Sequence, residues 1–425
     1  MKTNSLRERL ALGTAMAGVM LTGYGRALAG TCNTANPIVC TGSANTAADV
    51  TQAINFTTST TANTAMGFGI DTSMSGGAAI SLTNYGRFVD ANSSTITGAT
   101  FGIVGVNNTP IAGLKITTTG VVTGKSGDGI NLTLGAMNSG TGGVYAATVT
   151  GSHSGVIAQA NGSGTIVITT TGQVTGSGAD GIFANLNGAN GDVHVTAAGV
   201  SGATNGIRAF VNGFGVVAVT SSGAVVGGTM NGIYAADNFN SRGATVNAAS
   251  VSGGLSGIRA LGLNTIYGTT VSATGAITGT NAAGLFVRNH GYGLTITAAQ
   301  VTGGREGIYA QNYRSGVLSV TTTGPVTSTG TRFAGVLASN QNAAARDVIV
   351  STAAVTANGA GIQAYNKGNR LTQVTASGTV TGGAMDDAIH VTNTAMAQGG
   401  LIIGAASVSG GLNGVYASNK GVGAT

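Results

Sequence analysis

Charge is scarce in this chain. Only 7% of its 425 residues are Asp, Glu, Lys or Arg, against about 25% in an ordinary soluble domain. It has no Trp, three Pro, two Cys and four His. With 42% of residues hydrophobic, this composition excludes charge-driven disorder. Past the N-terminus no apolar stretch follows a helical period, and the dominant Gly, Thr, Ser, Val and Asn are poor helix formers. What is abundant is glycine, with 74 residues, yet no G-X-Y period runs through them, so collagen is excluded. An all-β chain dense in turns remains.

The N-terminus reads as a secretory signal over residues 1–29. Lys2, Arg7 and Arg9 precede an apolar run from Leu10 to Leu21, and Ala27-Leu28-Ala29 offers a small-residue cleavage site before Gly30. Twelve residues are too few to span a bilayer as a helix. Cleavage removes four of 18 basic and one of 12 acidic residues, leaving 14 and 11, a net of +3. That weak, scattered charge gives no reason to expect nucleic acid as a partner. Cys32 and Cys40 follow the cleavage site, and in an exported chain a disulfide is the expected state. Closing this short loop is worth about 2–3 kcal/mol in chain entropy.

The body of the chain is a repeat. A phrase of the form V-[T/S]-G-x-x-x-G-I-x-A recurs, as in VSGATNGIRA (200–209), VSGGLSGIRA (251–260) and VTGGREGIYA (301–310). The glycine before the aliphatic residue serves as an anchor, at Gly102, Gly129, Gly155, Gly181, Gly206, Gly232, Gly257, Gly284, Gly307, Gly335 and Gly361, then Ala388 and Gly414, with a mean step of about 26 residues. From Gly129 on, anchors alternate between those preceded by an extra Gly, as in TTTGVVTG, and those preceded by AAT, AAG or AAS, which makes a double repeat of about 52 residues. Each unit holds three short β-type runs, for example 181–186, 192–197 and 199–202.

Three strands per coil of about 26 residues predict a right-handed parallel β-helix over residues 96–425, behind an N-terminal cap segment over 30–95 that carries the Cys32–Cys40 loop. The hand comes from the general crossover preference. Some 13 coils at β spacing span roughly 60–70 Å. The residue after each anchor is aliphatic and the residue two further on is usually Ala, so both face inward on one strand. Asn recurs in the following turn, five to seven residues past the anchor, at Asn161, Asn187, Asn212, Asn238, Asn264, Asn289, Asn312, Asn340, Asn366, Asn393 and Asn419. Stacked at β spacing, such amides form a hydrogen-bonded ladder.

The signal, the two-Cys loop and the Gly/Thr/Asn/Val-rich coils with G-I-x-A phrases resemble the passenger region of a Gram-negative autotransporter (type V secretion). The resemblance covers nearly the whole chain. Secreted filamentous haemagglutinins of the two-partner type come second, although the chain has no NPNL or NPNG signature. The resemblance implies export to the cell surface, outer membrane or medium. It also implies an outer-membrane translocator barrel as partner, which this sequence does not contain, so a longer parent protein is expected. The implied role is adhesin or structural stalk; a β-helix carbohydrate-active enzyme and a passive spacer are the alternatives.

Catalysis would need clustered groups, and they are sparse. The best column precedes the anchors: Asp128, Ser154, Asp180, Asn205, Asn231 and Ser256. Asp128 and Asp180 stand two coils apart, about 9.6 Å at the backbone, too far to share one Ca²⁺. The column reads as turn residues. His153, His194, His290 and His390 fall in different coils, and no G-x-S-x-G elbow with triad partners stands out. The expectation is a protein that is not an enzyme and has neither cofactor nor metal. One outward column stands apart: Phe183, Arg208, Tyr234, Arg259, Phe286 and Tyr309, with Tyr416 further on. Aromatic and Arg side chains at β spacing can stack by cation–π contact. The stripe either stabilises the coils alone or is a recognition strip for a glycan, a host surface or protein, or a neighbouring copy.

Overall fold

A computed structural model describes the strands Thr31–Cys32, Ile38–Thr41, Ile54–Phe56 and Thr61–Thr64, and residues 69–421 other than 75, 85, 91–92, 239–240, 264–266 and 395–397. No helix occurs among the described residues, and the strands stack in parallel as a β-solenoid of about 13 repeat turns with a spacing of about 26 residues. The signal segment and Asn264 lie outside the described residues, as do the side chains of Cys32 and Cys40. The backbones of these two cysteines are opposed across an antiparallel pair.

Each coil contributes one short strand and one long one. The short strands, such as Ile182–Leu186 and Ile207–Val211, hold the G-I-x-A phrase and form a 15-stranded parallel sheet. Their burial alternates, with the aliphatic and Ala positions inside and the residues between them half-buried. The column Ile103–Ile130–Val156–Ile182–Ile207–Ile233–Ile258 runs in direct register and is fully buried. Each such side chain contributes about 1.5–3 kcal/mol by leaving water.

The second and third expected runs are one strand in most coils. Val193–Gly202 and Thr269–Gly279 pass through a corner at which the register shifts. This shift explains the double repeat. In coils with the extra Gly, two residues sit in the corner opposite one in the neighbour, so Thr118 and Val121 of one coil face Ala146 and Thr148 of the next. A side chain has no room there: a Cβ on Gly275 would lie 2.5 Å from the Ala249 carbonyl oxygen, and one on Gly324 2.7 Å from that of Ala299. Where Pro325 fills the corner, the long strand divides into Gly316–Thr322 and Val326–Thr331.

The anchor glycines have a similar cause. A Cβ on Gly206 would meet Val225 Cγ1 at 2.5 Å and the Gly232 oxygen at 2.6 Å. Glycine here is what lets successive coils approach at the corner.

The stack starts before residue 96. Ile54 pairs with Ile80 and Ile80 with Ile103, while Ile38, Ala62 and Phe88 continue the long-strand column. Part of the segment expected as a cap is therefore coiled. It buries Ile70, Ile80, Leu82 and Phe88 and lacks the repeat phrase, whose glycines belong to the tighter corners further on.

Candidate functional site

The aromatic–arginine stripe lies on the outer face of the short-strand sheet. Phe183 pairs in register with Arg208, Arg208 with Tyr234, Tyr234 with Arg259, Arg259 with Phe286 and Phe286 with Tyr309. All six are half-buried. The Arg208 guanidinium carbon lies 4.1 Å from the Phe183 ring centre, and that of Arg259 lies 5.4 Å from Tyr234 and 5.1 Å from Phe286. The Phe286 and Tyr309 rings stack at 4.8 Å, within 1° of parallel. These distances fall within the cation–π and stacking range.

A second outward column, two residues along each strand, completes the face and was missed by reading one column alone. Phe210 meets Tyr234 edge-on at 4.9 Å and Phe183 at 6.4 Å. Arg288 lies 4.9 Å from the Phe286 ring, and its Nη2 donates to Tyr309 Oη at 3.2 Å. Further up, His390 packs between Tyr365 at 5.6 Å and Tyr416 at 4.6 Å. Burial and the Asp387 charge raise the Tyr365 hydroxyl above its ordinary value. The period-two rule that exposes the first column also exposes this one.

The column before the anchors is buried and bonded between coils, so it is more than a set of local turns. Asp180 Oδ1 accepts from Thr204 Oγ1 at 2.5 Å, Asn205 N at 3.2 Å and Asn205 Nδ2 at 2.8 Å. Arg208 Nε sits 2.7 Å from Asp180 Oδ2 as an ion pair, although its N–H does not point along the contact. Asn231 Nδ2 in turn donates to Asn205 Oδ1 at 3.1 Å. Asp180, Thr204, Asn205 and Arg208 line an open cavity of about 500 Å³ with His153, Phe183 and Gln159. His153 Nδ1 lies 2.9 Å from Asp128 Oδ1, and Ser154 Oγ lies 3.5 Å from that same nitrogen. A triad needs the serine and the carboxylate on opposite ring nitrogens, so this grouping is not one. Among the described residues no three His, Cys, Asp or Glu stand together as metal ligands.

The asparagine ladder resolves into two. Asn161, Asn187, Asn212 and Asn238 stand six residues past their anchors, on the outside, and the last three amides each donate to the oxygen of the coil before: 3.1 Å from Asn187 to Asn161, 2.8 Å from Asn212 to Asn187 and 2.7 Å from Asn238 to Asn212. Asn289, Asn312, Asn340, Asn366 and Asn393 stand five past, point inward and are fully buried. There the bonds run the other way, at 2.9 Å from Asn289 to Asn312, 3.2 Å from Asn312 to Asn340 and 3.3 Å from Asn340 to Asn366. Asn393 instead accepts from Thr372 Oγ1 at 2.5 Å, and Asn419 Oδ1 accepts from the Gly421 N–H. A one-residue change in offset moves a strand side chain to the other face.

From Leu134 to Val211 the inward position is apolar, as Leu134, Ala160, Leu186 and Val211; the buried Asn107 precedes them in the same column and Asp237 follows. Asp237 is fully buried; Leu263 N donates to its Oδ1 at 2.9 Å, and its Oδ2 has no hydrogen-bond partner. Burial pushes its carboxyl up to about 7, against the hydrogen bonds that favour its charge.

Compared with protein-family models, curated proteins and solved structures, the chain shows no significant match to any.

Proposed function

We propose that the chain is the exported passenger of an autotransporter-type system, a surface stalk whose aromatic–arginine stripe is its contact face. The observation that carries this reading is the unbroken stripe. Six consecutive coils place an aromatic or Arg side chain at one outward position, in a chain with 5% aromatics. A solenoid held by uncharged ladders suits a stalk, because its interior is complete coil by coil and its surface is left for contact. The signal-like N-terminus and the opposed cysteines support passage through an oxidising compartment. The translocator barrel would belong to the parent protein.

The competing enzyme reading would act in the cavity around Asp128, His153 and Asp180. The Asp180 carboxylate there already serves three donors and an ion pair, which leaves it poorly placed to exchange a proton with a substrate.

The test replaces Phe183, Tyr234, Phe286 and Tyr309 together by Ser and measures adhesion of displaying cells. The expected result is weaker adhesion or self-association with the β circular-dichroism spectrum retained. Unchanged adhesion in the folded variant would remove the stripe from the function and leave the spacer, which should tolerate deletion of one double coil.

A further inference from the structure

The stripe is electrically uneven. In its first part Arg208 is neutralised by Asp180 at 2.7 Å. In its second part, Arg259 and Arg288 have no carboxylate within ion-pair distance among the described residues. They line a cavity of about 280 Å³ together with Phe286, Tyr309, Arg305 and Glu306. Glu306 is the only acidic group in that lining, and it lies 4.0 Å from Arg305. Three guanidinium groups thus face one carboxylate.

The two unpaired arginines are also held in place. Arg259 packs against Tyr234 and Phe286, and Arg288 lies over Phe286 and within 5.5 Å of the Tyr309 ring centre. The Nε atoms of both are buried without a hydrogen-bond partner. A guanidinium stacked on aromatic rings keeps its charge and its forked donors while losing little further freedom on binding, which is the arrangement that grips a carboxylate or sulfate. Arg259 lies in the first outward column and Arg288 in the second, on neighbouring strands, while Arg305 stands in the turn before Ile308 at the edge of the same cavity. Two clamped guanidinium groups on neighbouring coils, with a third at the edge of the same cavity, match a linear polymer that carries an anionic group on its repeating unit.

We infer that the Arg259–Arg288 cavity binds an acidic polysaccharide through its carboxylate or sulfate groups. This deepens the reading of the stripe as a contact face and rests on it. The purified chain is tested for retention by polygalacturonate, which offers carboxylates, and by heparin, which offers mainly sulfates, with dextran as the neutral polymer and anionic phospholipid vesicles as a surface. Retention by either acidic polymer, weakened by salt, is expected, with none by dextran. Which polymer is retained tells the carboxylate source from the sulfate source.

Arg259→Gln with Arg288→Gln should weaken binding roughly tenfold or more, the scale of a charged hydrogen bond lost. Arg346→Gln, an exposed arginine outside the stripe, should leave it within about twofold. The pair Arg259→Lys and Arg288→Lys keeps charge and bulk but not the fork, and should bind more weakly than the native chain. This second pair decides the matter if the Gln pair does not fold. Retention of neither acidic polymer, retention on vesicles alone, equal retention of dextran, or Arg variants that bind like the native chain would each overturn the site. Adhesion lost in the aromatic variant while polymer binding ignores the arginines would leave the contact face standing and remove only its anion site.

Discussion

The coils from Val156 to Asn238 and those from Leu285 to Asn393 share one frame and differ in where they keep their asparagines. The earlier coils close the inner end of each short strand with Ala160, Leu186 and Val211 and carry the amides outside. The later coils bury Asn289, Asn312, Asn340 and Asn366, where each satisfies backbone carbonyls of its own turn and the first three also donate to the next amide along. An outside ladder competes with water for each bond, whereas a buried one would leave its donors unpaired if broken. The same residue type at nearly the same place thus performs two jobs, and a single residue of offset decides which. Asp237 sits between the two regimes, a polar group in the inward column without the next amide to complete it.

The largest effect that would sharpen this contrast is at Asp237. Its carboxyl titrates near 7 in the fold against an ordinary 3.8. The fold holds this proton more tightly than the unfolded chain does. Its stabilising contribution is therefore fully present below about 3.8 and is lost as pH rises through about 7. The loss is on the order of 4 kcal/mol. Asp237→Asn should flatten that slope and raise the urea midpoint on the alkaline side of neutrality. Parallel pH profiles for the two proteins would contradict the assigned burial.

A smaller effect tests whether the frame is shared. A Cβ on Gly206 would lie 2.5 Å from Val225 Cγ1, and one on Gly307 2.5 Å from Val326 Cγ1. Gly206→Ala and Gly307→Ala should each cost about 1–3 kcal/mol in thermal or urea melts. The two costs should agree, because the corner is the same in both regions. Unequal costs would mean that the halves differ in more than their ladders.

The period, the inward Ile/Val and Ala columns and the register of the stripe were legible because β-strand alternation converts spacing directly into facing. Tyr234 opposite Arg259 is an example. The split ladder was less legible: offsets of five and six look alike as turn positions and differ only once the strand is known to run to the fifth residue, as in Ile308–Asn312. Arg288 was hidden because it belongs to the second outward column, and Asp180 because its partners, Thr204, Asn205 and Arg208, arrive from the following coil. The raised Asp237 follows from desolvation, which depends on what covers a side chain and not on its neighbours in sequence.

The most direct test of the two-ladder account is a pair of double-mutant cycles. One removes Asn312 and Asn340, joined at 3.2 Å inside, and the other removes Asn187 and Asn212, joined at 2.8 Å outside, each singly and together by Ala. The predicted coupling is on the order of 1–2 kcal/mol for the buried pair and under roughly 0.5 kcal/mol for the outer one. Equal couplings, or a stronger one outside, would contradict it.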